Sequence, residues 1–206
     1  MSARLRLALA KGRLYNDTLA RLAAAGLTVE DPGRRLLVPT SDPDLELLAV
    51  KPGDVPVYVE SGAADLGITG TDVLREAAAD VLEPLALPFG TCRLVVAAPA
   101  AAAYPSLPHG RTPRVATKYP RLTRAHFART GRSVQVIPIH GSVEVAPLLG
   151  LADWIVDLVE TGNTLRANGL TERETILHST ATLVANRASQ KLKLERHLAL
   201  MRVLGE

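Results

Sequence analysis

The chain has 206 residues, 47% of them hydrophobic and 22% charged, the make-up of a folded globular protein and not of a disordered one. Its one cysteine, Cys92, excludes a disulfide framework and any multi-cysteine zinc site, and aromatics at 3% argue against modules that read nucleic acid by base stacking. A net charge of +3 selects no partner by itself, because the basic residues are scattered except in the last twenty positions.

Residues 4–9 alternate apolar and polar and read as a first strand. Positions 14, 18, 19, 22 and 23 form an apolar helical stripe over 14–25, closed by Gly26 as a C-cap. Residues 36–38 and 45–50 read as a strand pair joined by the turn-rich segment 40–44. A short helix over 55–61, a strand over 66–69 and a helix over 72–79 complete a first series.

A second series starts with a strand over 93–98, after a boundary near 87–91. It continues with a strand at 114–117, a helix at 122–130, a strand at 134–137 and a short helix at 143–149. A strand over 154–159 and a helix from Thr164 follow, then a strand-like run at 176–186 and an amphipathic terminal helix in which leucines interleave with the basic cluster. Strands alternating with helices predict parallel α/β sheets, and the two series predict two lobes with a cleft between them. The final segment is expected to return to the first lobe. The longest apolar stretch, 94–104, is interrupted by Pro99 and falls short of the roughly 20 residues that span a bilayer. The N-terminus is charged within four residues and has no cleavage site, so a cytoplasmic chain without a signal peptide is expected.

The most informative segment is Trp154-Ile155-Val156-Asp157-Leu158-Val159-Glu160-Thr161-Gly162-Asn163-Thr164-Leu165. An apolar strand ends in a carboxylate, and a Thr-Gly-x-Thr turn opens the next helix. Glycine permits a turn whose N–H groups converge on one point, and a helix start adds positive potential and hydroxyl donors. That suits a phosphate monoester, and a carboxylate just upstream suits the hydroxyls of an attached ribose. A plain helix cap at Thr161 or Thr164 is the alternative. No Walker A spacing is present.

A second motif, Lys11-Gly12-Arg13, puts two cations at the carboxyl end of the first strand, where α/β proteins bind anions. The alternative is two solvated charges. Arg34-Arg35, at a turn-to-strand junction, is either solvated or a phosphate clamp. A third segment, Val59-Glu60-Ser61-Gly62-Ala63-Ala64-Asp65-Leu66-Gly67-Ile68-Thr69-Gly70-Thr71-Asp72, resembles the ligand-facing strand of type II periplasmic-binding-protein lobes. The five histidines show no metal-ligand spacing, and no Gly-x-Ser-x-Gly or Cys–His signature marks a covalent nucleophile.

Together these motifs resemble the ATP phosphoribosyltransferase family. The family signature runs from a Glu through a Gly to Asp-aliphatic-x-x-Ser/Thr-Gly-x-Thr-Leu. It is met here by Glu144, Gly150, Ala152, Ile155, Asp157, Leu158, Thr161, Gly162, Thr164 and Leu165. Similarity extends through Lys11-Gly12-Arg13, Asp54-Val55-Pro56, 62–67, Cys92-Arg93-Leu94, 116–120 and 141–144. Ala10 and Lys51 depart from the usual residues without removing a charge.

The resemblance implies two lobes of the type II periplasmic-binding-protein kind, 1–90 with 176–206 and 91–175, with the active site in the interlobe cleft. It implies a glycosyltransferase that moves phosphoribosyl from 5-phosphoribosyl 1-diphosphate to N1 of ATP, releasing pyrophosphate, the first step of histidine biosynthesis. The length is similar to the family's short form. That form implies a separate regulatory subunit related to histidyl-tRNA synthetase, a homodimer within a hetero-oligomer, and no nucleic-acid or membrane partner. Within this frame the loop Glu160, Thr161, Gly162, Asn163 and Thr164 is assigned to the 5-phosphate, and Asp157 with Glu144 to the ribose. Lys11, Arg13 and one of Arg34 and Arg35 are candidates for the pyrophosphate or ATP phosphates, joined by Arg93, Lys118 and Asp72. Catalysis is assigned to Lys11, Arg13 and Asp157. Mg2+ is expected on the substrate phosphates, with no protein metal site. A non-catalytic binding module on the same lobes is the competing reading, and a nucleic-acid-binding protein a weaker one.

Overall fold

The computed structural model describes residues 4–29 and 35–205. Its contacts divide the chain into two units, Met1–Thr91 with Thr180–Glu206, and Cys92–Ser179. Among the described residues no helix is long and apolar enough to cross a membrane.

The first unit is built on a six-stranded mixed sheet. Its strands are β1 (Leu5–Ala10), β2 (Leu37–Pro39), β3 (Leu45–Val50), β4 (Leu66–Gly70), β5 (Leu82–Ala86) and β11 (Ala181–Ala185), in the order β2-β3-β1-β4-β11-β5. β1 runs parallel to both β3 and β4, as short crossovers through helices require, whereas β11 enters antiparallel between β4 and β5. Helix α1 (Arg13–Ala24) follows β1, α2 (Val55–Glu60) precedes β4, and α3 (Thr71–Ala77) follows β4. Leu22 of α1 is fully buried, in a core with Leu5, Leu7, Leu9, Leu47, Leu66 and Ile68. Helix α1 ends as its sequence predicts. Gly26 sits at φ 79, its N–H donates to the Ala23 carbonyl, and the Leu27 N–H donates to Leu22, which together make a Schellman cap.

The second unit holds β6 (Cys92–Pro99), β7 (Arg114–Thr117), β8 (Gln135–Pro138), β9 (Trp154–Val159) and β10 (Leu170–Ser179) in the order β10-β6-β9-β7-β8. Strands β9, β7 and β8 are mutually parallel, with α4 (Pro120–Arg129) after β7 and α5 (Asn163–Ala167) after β9. Trp154, Phe127, Leu94 and Val156 fill one face of this sheet, and Ile155, Val143, Leu165 and Val159 the other. Helices on both faces of a parallel strand trio explain why β9 reads as an unbroken apolar run.

Four elements differ from the sequence expectation. β5 carries Pro84, which lowers a strand reading, but it lies at the sheet edge, and its pairing with β11 slips between Leu183 and Ala185 where the proline falls. The expected strand over 176–186 is two strands. β10 begins at Leu170, polar because it is an edge strand with two register shifts, and the chain leaves it at Thr180. There the Thr180 hydroxyl lies 2.9 Å from the carbonyls of Leu87 and Phe89. The helix expected over 143–149 is a single 3-10 turn, Val143–Val145, because Pro147 has no N–H to continue it. The terminal helix is divided into α6 (Arg187–Leu192) and α7 (Leu194–Gly205). Asn186 caps α6 through the N–H groups of Ala188 and Ser189. At the break, Lys193 donates to the Asp65 carboxylate at 2.8 Å and to the Arg4 carbonyl at 2.7 Å, fastening the segment to the first unit.

Glu174 on β10 is a tightly held carboxylate of the second unit. Arg132 forks onto both its oxygens at 2.8 and 2.7 Å, and His126 Nε2 lies 2.8 Å away. The guanidinium holds its pKa down at about 2, against burial, with Tyr104 and His126 helping. A depressed folded-state pKa contributes stability that is present above the unfolded value, near 4.5, and is lost as pH falls toward about 2. We therefore expect Glu174→Gln to lower the melting temperature by several degrees at neutral pH, for a loss of about 1–2 kcal/mol. The gap from wild type should close as the melts are repeated down to about pH 2.

Candidate active site

The carboxyl ends of β9, β7 and β8 converge on a cavity of about 350 Å3 lined by Lys118, Ser142, Glu144 and the run from Asp157 to Leu165. The location follows from topology, since parallel strands deliver their loops to one edge of the sheet. The register Val156↔Thr117 places Asp157 and Lys118 side by side, one residue beyond the last paired position. The turn after β8 brings in Ser142 and Glu144, held down by the fully buried Val143.

Asp157 is only partly accessible, and its Oδ1 accepts the Leu158 N–H at 2.9 Å. Burial pushes its carboxyl above the ordinary aspartate range; the charge of Lys118 and the Leu158 N–H pull it back in part, while Glu144 pushes it further up. The loop turns at Gly162, with φ 77, a conformation that side chains bearing a Cβ rarely adopt. Leu165, 5% exposed, anchors α5 in the core behind the loop. Helix α5 starts at Asn163 and has five residues, so its dipole is small. The donors that matter are instead its first N–H groups, which have no partner inside a helix. The Asn163 N–H leans on Thr161 Oγ1 at 3.4 Å.

Sequence-assigned residues fall into two sets. Lys118, Glu144, Asp157, Glu160, Thr161, Gly162, Asn163 and Thr164 line this same cavity in the second unit. Lys11, Arg13 and Asp72 belong to the first unit, at the carboxyl ends of the adjacent parallel strands β1 and β4. Lys11 and Arg13 are exposed around Gly12, which has φ 104, while Asp72 is 3% exposed in the first turn of α3. Arg34 lies outside the described residues, and Arg35 is exposed. Arg93 does not line the cavity. Its guanidinium is engaged by Glu172, with Nε 2.9 Å from the carboxylate, and its Nη1 donates to the Glu160 carbonyl at 3.1 Å. Ser142, in a left-handed conformation at φ 45, is a cavity residue to which the sequence gives no role beyond its place in the 141–144 block. A serine after Gly141 gives no sign of it, because only the fold brings that turn beside β9.

The family model described as ATP phosphoribosyltransferase matches residues 51–205. The ATP phosphoribosyltransferase of Halorhodospira halophila is 50% identical over 200 residues, 95% of this chain and 92% of that protein. That of Pseudomonas paraeruginosa is 50% identical over 206 residues, 98% and 96% of the two. The chain belongs to the ATP phosphoribosyltransferase family. Its activity is that of a phosphoribosyltransferase, carrying phosphoribosyl from 5-phosphoribosyl 1-diphosphate to N1 of ATP with release of pyrophosphate, the first step of histidine biosynthesis. The ATP phosphoribosyltransferase family uses metal together with its substrate. Among solved structures, the ATP phosphoribosyl transferase (HisG:HisZ) complex from Thermotoga maritima matches with TM-score 0.86 and 36% identity, over 97% of this chain and 96% of that one. The alkanesulfonate-binding protein SsuA from Xanthomonas axonopodis matches at 17% identity and TM-score 0.58, over 98% of this chain and 72% of its own. That likeness concerns the fold, which is the two-lobed α/β kind of the type II periplasmic binding proteins.

The charges around Asp157 have a direct readout. In carboxyl-carbon NMR titrations, Lys118→Met should move the Asp157 midpoint to higher pH, since it removes a cation that favours the ionised form. Glu144→Gln should move it to lower pH. Unmoved midpoints in both variants would show that burial alone sets this carboxyl.

Proposed function

We propose that the cavity at the end of β9 holds the phosphoribosyl half of 5-phosphoribosyl 1-diphosphate. The observation that carries this is the adjacency of a half-buried carboxylate, Asp157, and a glycine turn flanked by two threonines, all in one cavity with Lys118. The Thr161–Thr164 turn takes the 5-phosphate through its N–H groups and the two threonine hydroxyls. Glu160 and Asn163 flank it. Asp157, with Glu144, accepts from the ribose hydroxyls, which an ionised carboxylate does strongly. Lys118 faces the anionic side of the same ligand. Lys11, Arg13 and Asp72, with Arg34 or Arg35, are assigned to the ATP phosphates and the departing pyrophosphate.

Adenine N1 carries a free lone pair at neutral pH, so no residue needs to remove a proton for it to attack. The N1–C1 bond of the product forms as the C1–O bond to pyrophosphate breaks, and the bonding pair leaves with pyrophosphate. The residues' task is to align the two reactants and to stabilise positive charge developing at C1. Asp157 is the anion nearest to where that charge appears in this reading. Among the described residues no group of three or more His, Cys, Asp or Glu is gathered as a metal cluster. The cavity's three carboxylates, Glu144, Asp157 and Glu160, are not gathered into such a group, and Mg2+ is assigned as substrate-borne, keeping most of its ligands from phosphate and water and offsetting the diphosphate charge.

The test is pyrophosphate release with ATP and 5-phosphoribosyl 1-diphosphate. Asp157→Asn should lower kcat/KM by ten- to a hundredfold, for a charge-assisted hydrogen bond of about 1.5–3 kcal/mol, with the melting temperature nearly unchanged. Lost stability with normal turnover in the folded fraction would return Asp157 to a structural role.

The same reading gives the chain a histidyl-tRNA-synthetase-like regulatory subunit, a homodimer within a hetero-oligomer, and a cytoplasmic location where both substrates are made. The likeness to the HisG:HisZ complex supports it, as do relatives matched over 92–96% of their own length. Allostery needs a second site with differential affinity for two states, and by the likeness to the HisG:HisZ complex that site is assigned to the partner. Histidine should therefore leave the isolated chain uninhibited and inhibit it once the partner is added. Calorimetry of histidine against the isolated chain checks this; saturable binding with inhibition and no partner present would overturn it.

A further inference from the structure

We propose that Arg93 and Glu172 form a brace that holds the Glu160–Thr164 turn in its anion-binding shape, making both positioning residues for the phosphoribosyl site. This rests on the assignment of that turn to the 5-phosphate, and it moves Arg93 from the pyrophosphate to the support of the loop.

Arg93 is the second residue of β6 and pairs with Val159, so its side chain leaves the sheet beside the point where β9 ends. Its guanidinium is committed on two sides. Nε and Nη2 donate to the Glu172 carboxylate at 2.9 and 2.5 Å, and Nη1 donates to the Glu160 carbonyl at 3.1 Å. Glu172 also lies against the turn, its Oε1 3.3 Å from where a Cβ on Gly162 would stand. Neither residue lines the cavity.

The consequence for the turn follows from peptide geometry. The Glu160 carbonyl and the Thr161 N–H belong to one planar trans peptide and point in opposite directions. Fixing the carbonyl on Arg93 therefore aims the Thr161 N–H away from the guanidinium. The turn's other ties are local: the Asn163 N–H contact to Thr161 is long at 3.4 Å, Arg166 donates to the Asn163 side chain, and α5 is five residues long, whereas Arg93 ties the turn to β6. An arginine fork supplies what a short helix cannot, because its donors are fixed in one plane. A carboxylate close to a phosphate site repels the ligand unless it is neutralised. Glu172 is neutralised by Arg93, and its place is explained if it orients that side chain.

The experiment measures affinity by calorimetry with two probes, ribose 5-phosphate and 5-phosphoribosyl 1-diphosphate, on the full chain. Arg93→Ala and Glu172→Ala should each weaken both probes by a similar factor, roughly tenfold, and the double variant should be no worse than either single one. ATP affinity and melting temperature should change little, and Glu172→Gln, which keeps one acceptor, should recover part of the loss. The last variant also supplies the comparison if Glu172→Ala fails to fold. Electrostatics without a brace predicts the opposite sign, since deleting a carboxylate beside an anion site tightens binding. Unchanged or tighter binding in Glu172→Ala would overturn the proposal. So would an Arg93→Ala defect confined to the diphosphate-bearing probe, which would make Arg93 a pyrophosphate ligand. Thr164→Val separates the two layers of inference. If it leaves ribose 5-phosphate affinity intact, the site assignment fails and the brace with it; if it weakens binding while Glu172→Ala does not, only the brace fails.

Discussion

The parallel pairing of β7 with β9 determines what the second unit presents at its edge. Because the two strands run the same way and their pairing ends at Thr117↔Val156, the next residues, Lys118 and Asp157, emerge side by side, and the loops that follow open on the same space. An antiparallel pairing would send one of those loops to the opposite edge, and the cation and carboxylate would never meet. The buried apolar half of β9 locks that register. Trp154, Ile155 and Val156 are fully buried between helices on both faces, so a slip of one residue would exchange every side chain between the two cores.

Asp157 bears the cost of this placement. It sits one residue beyond strand positions that exclude water, and burial raises its pKa, so the ionised form is held at some expense. A partner that donates hydrogen bonds or brings positive charge would repay that expense more fully here than at the open surface. The cavity is thus disposed towards ligands with hydroxyls or developing positive charge next to the carboxylate, and towards anionic groups at the glycine turn. Those two demands are opposite in sign and lie a few residues apart, a division of labour that a phosphorylated sugar satisfies.

Much of this could be read in the residues. The strand-to-carboxylate-to-glycine run of 154–162 needed only local rules, because each step depends on nearest neighbours in sequence. Strands β1, β3, β7 and β9 declared themselves by apolar pattern. What escaped was set by distant pairing. β5 hides behind Pro84, which only an edge position tolerates, and the first half of β10 is polar because one side of it faces no strand. Ser142 gave no signal, since its relevance lies in its distance to β9 and not in its neighbours. Arg93 reads in sequence as a candidate for the pyrophosphate or ATP phosphates, and the fold shows its guanidinium engaged by Glu172 and the Glu160 carbonyl.

The late arrival of β11 has a consequence for how the chain emerges from the ribosome. β11 inserts between β4 and β5, and β5 pairs with nothing else in its sheet, yet roughly a hundred residues separate β4 from β11 along the chain. At ordinary rates of synthesis that interval lasts on the order of ten seconds. Throughout it the N-terminal half carries an open, apolar sheet edge at β4, while the whole second unit is translated and free to fold on its own. Nascent chains of this protein are therefore most exposed to wrong strand partners during that wait, and chaperone binding or premature termination within it would bear on yield more than any property of the finished molecule.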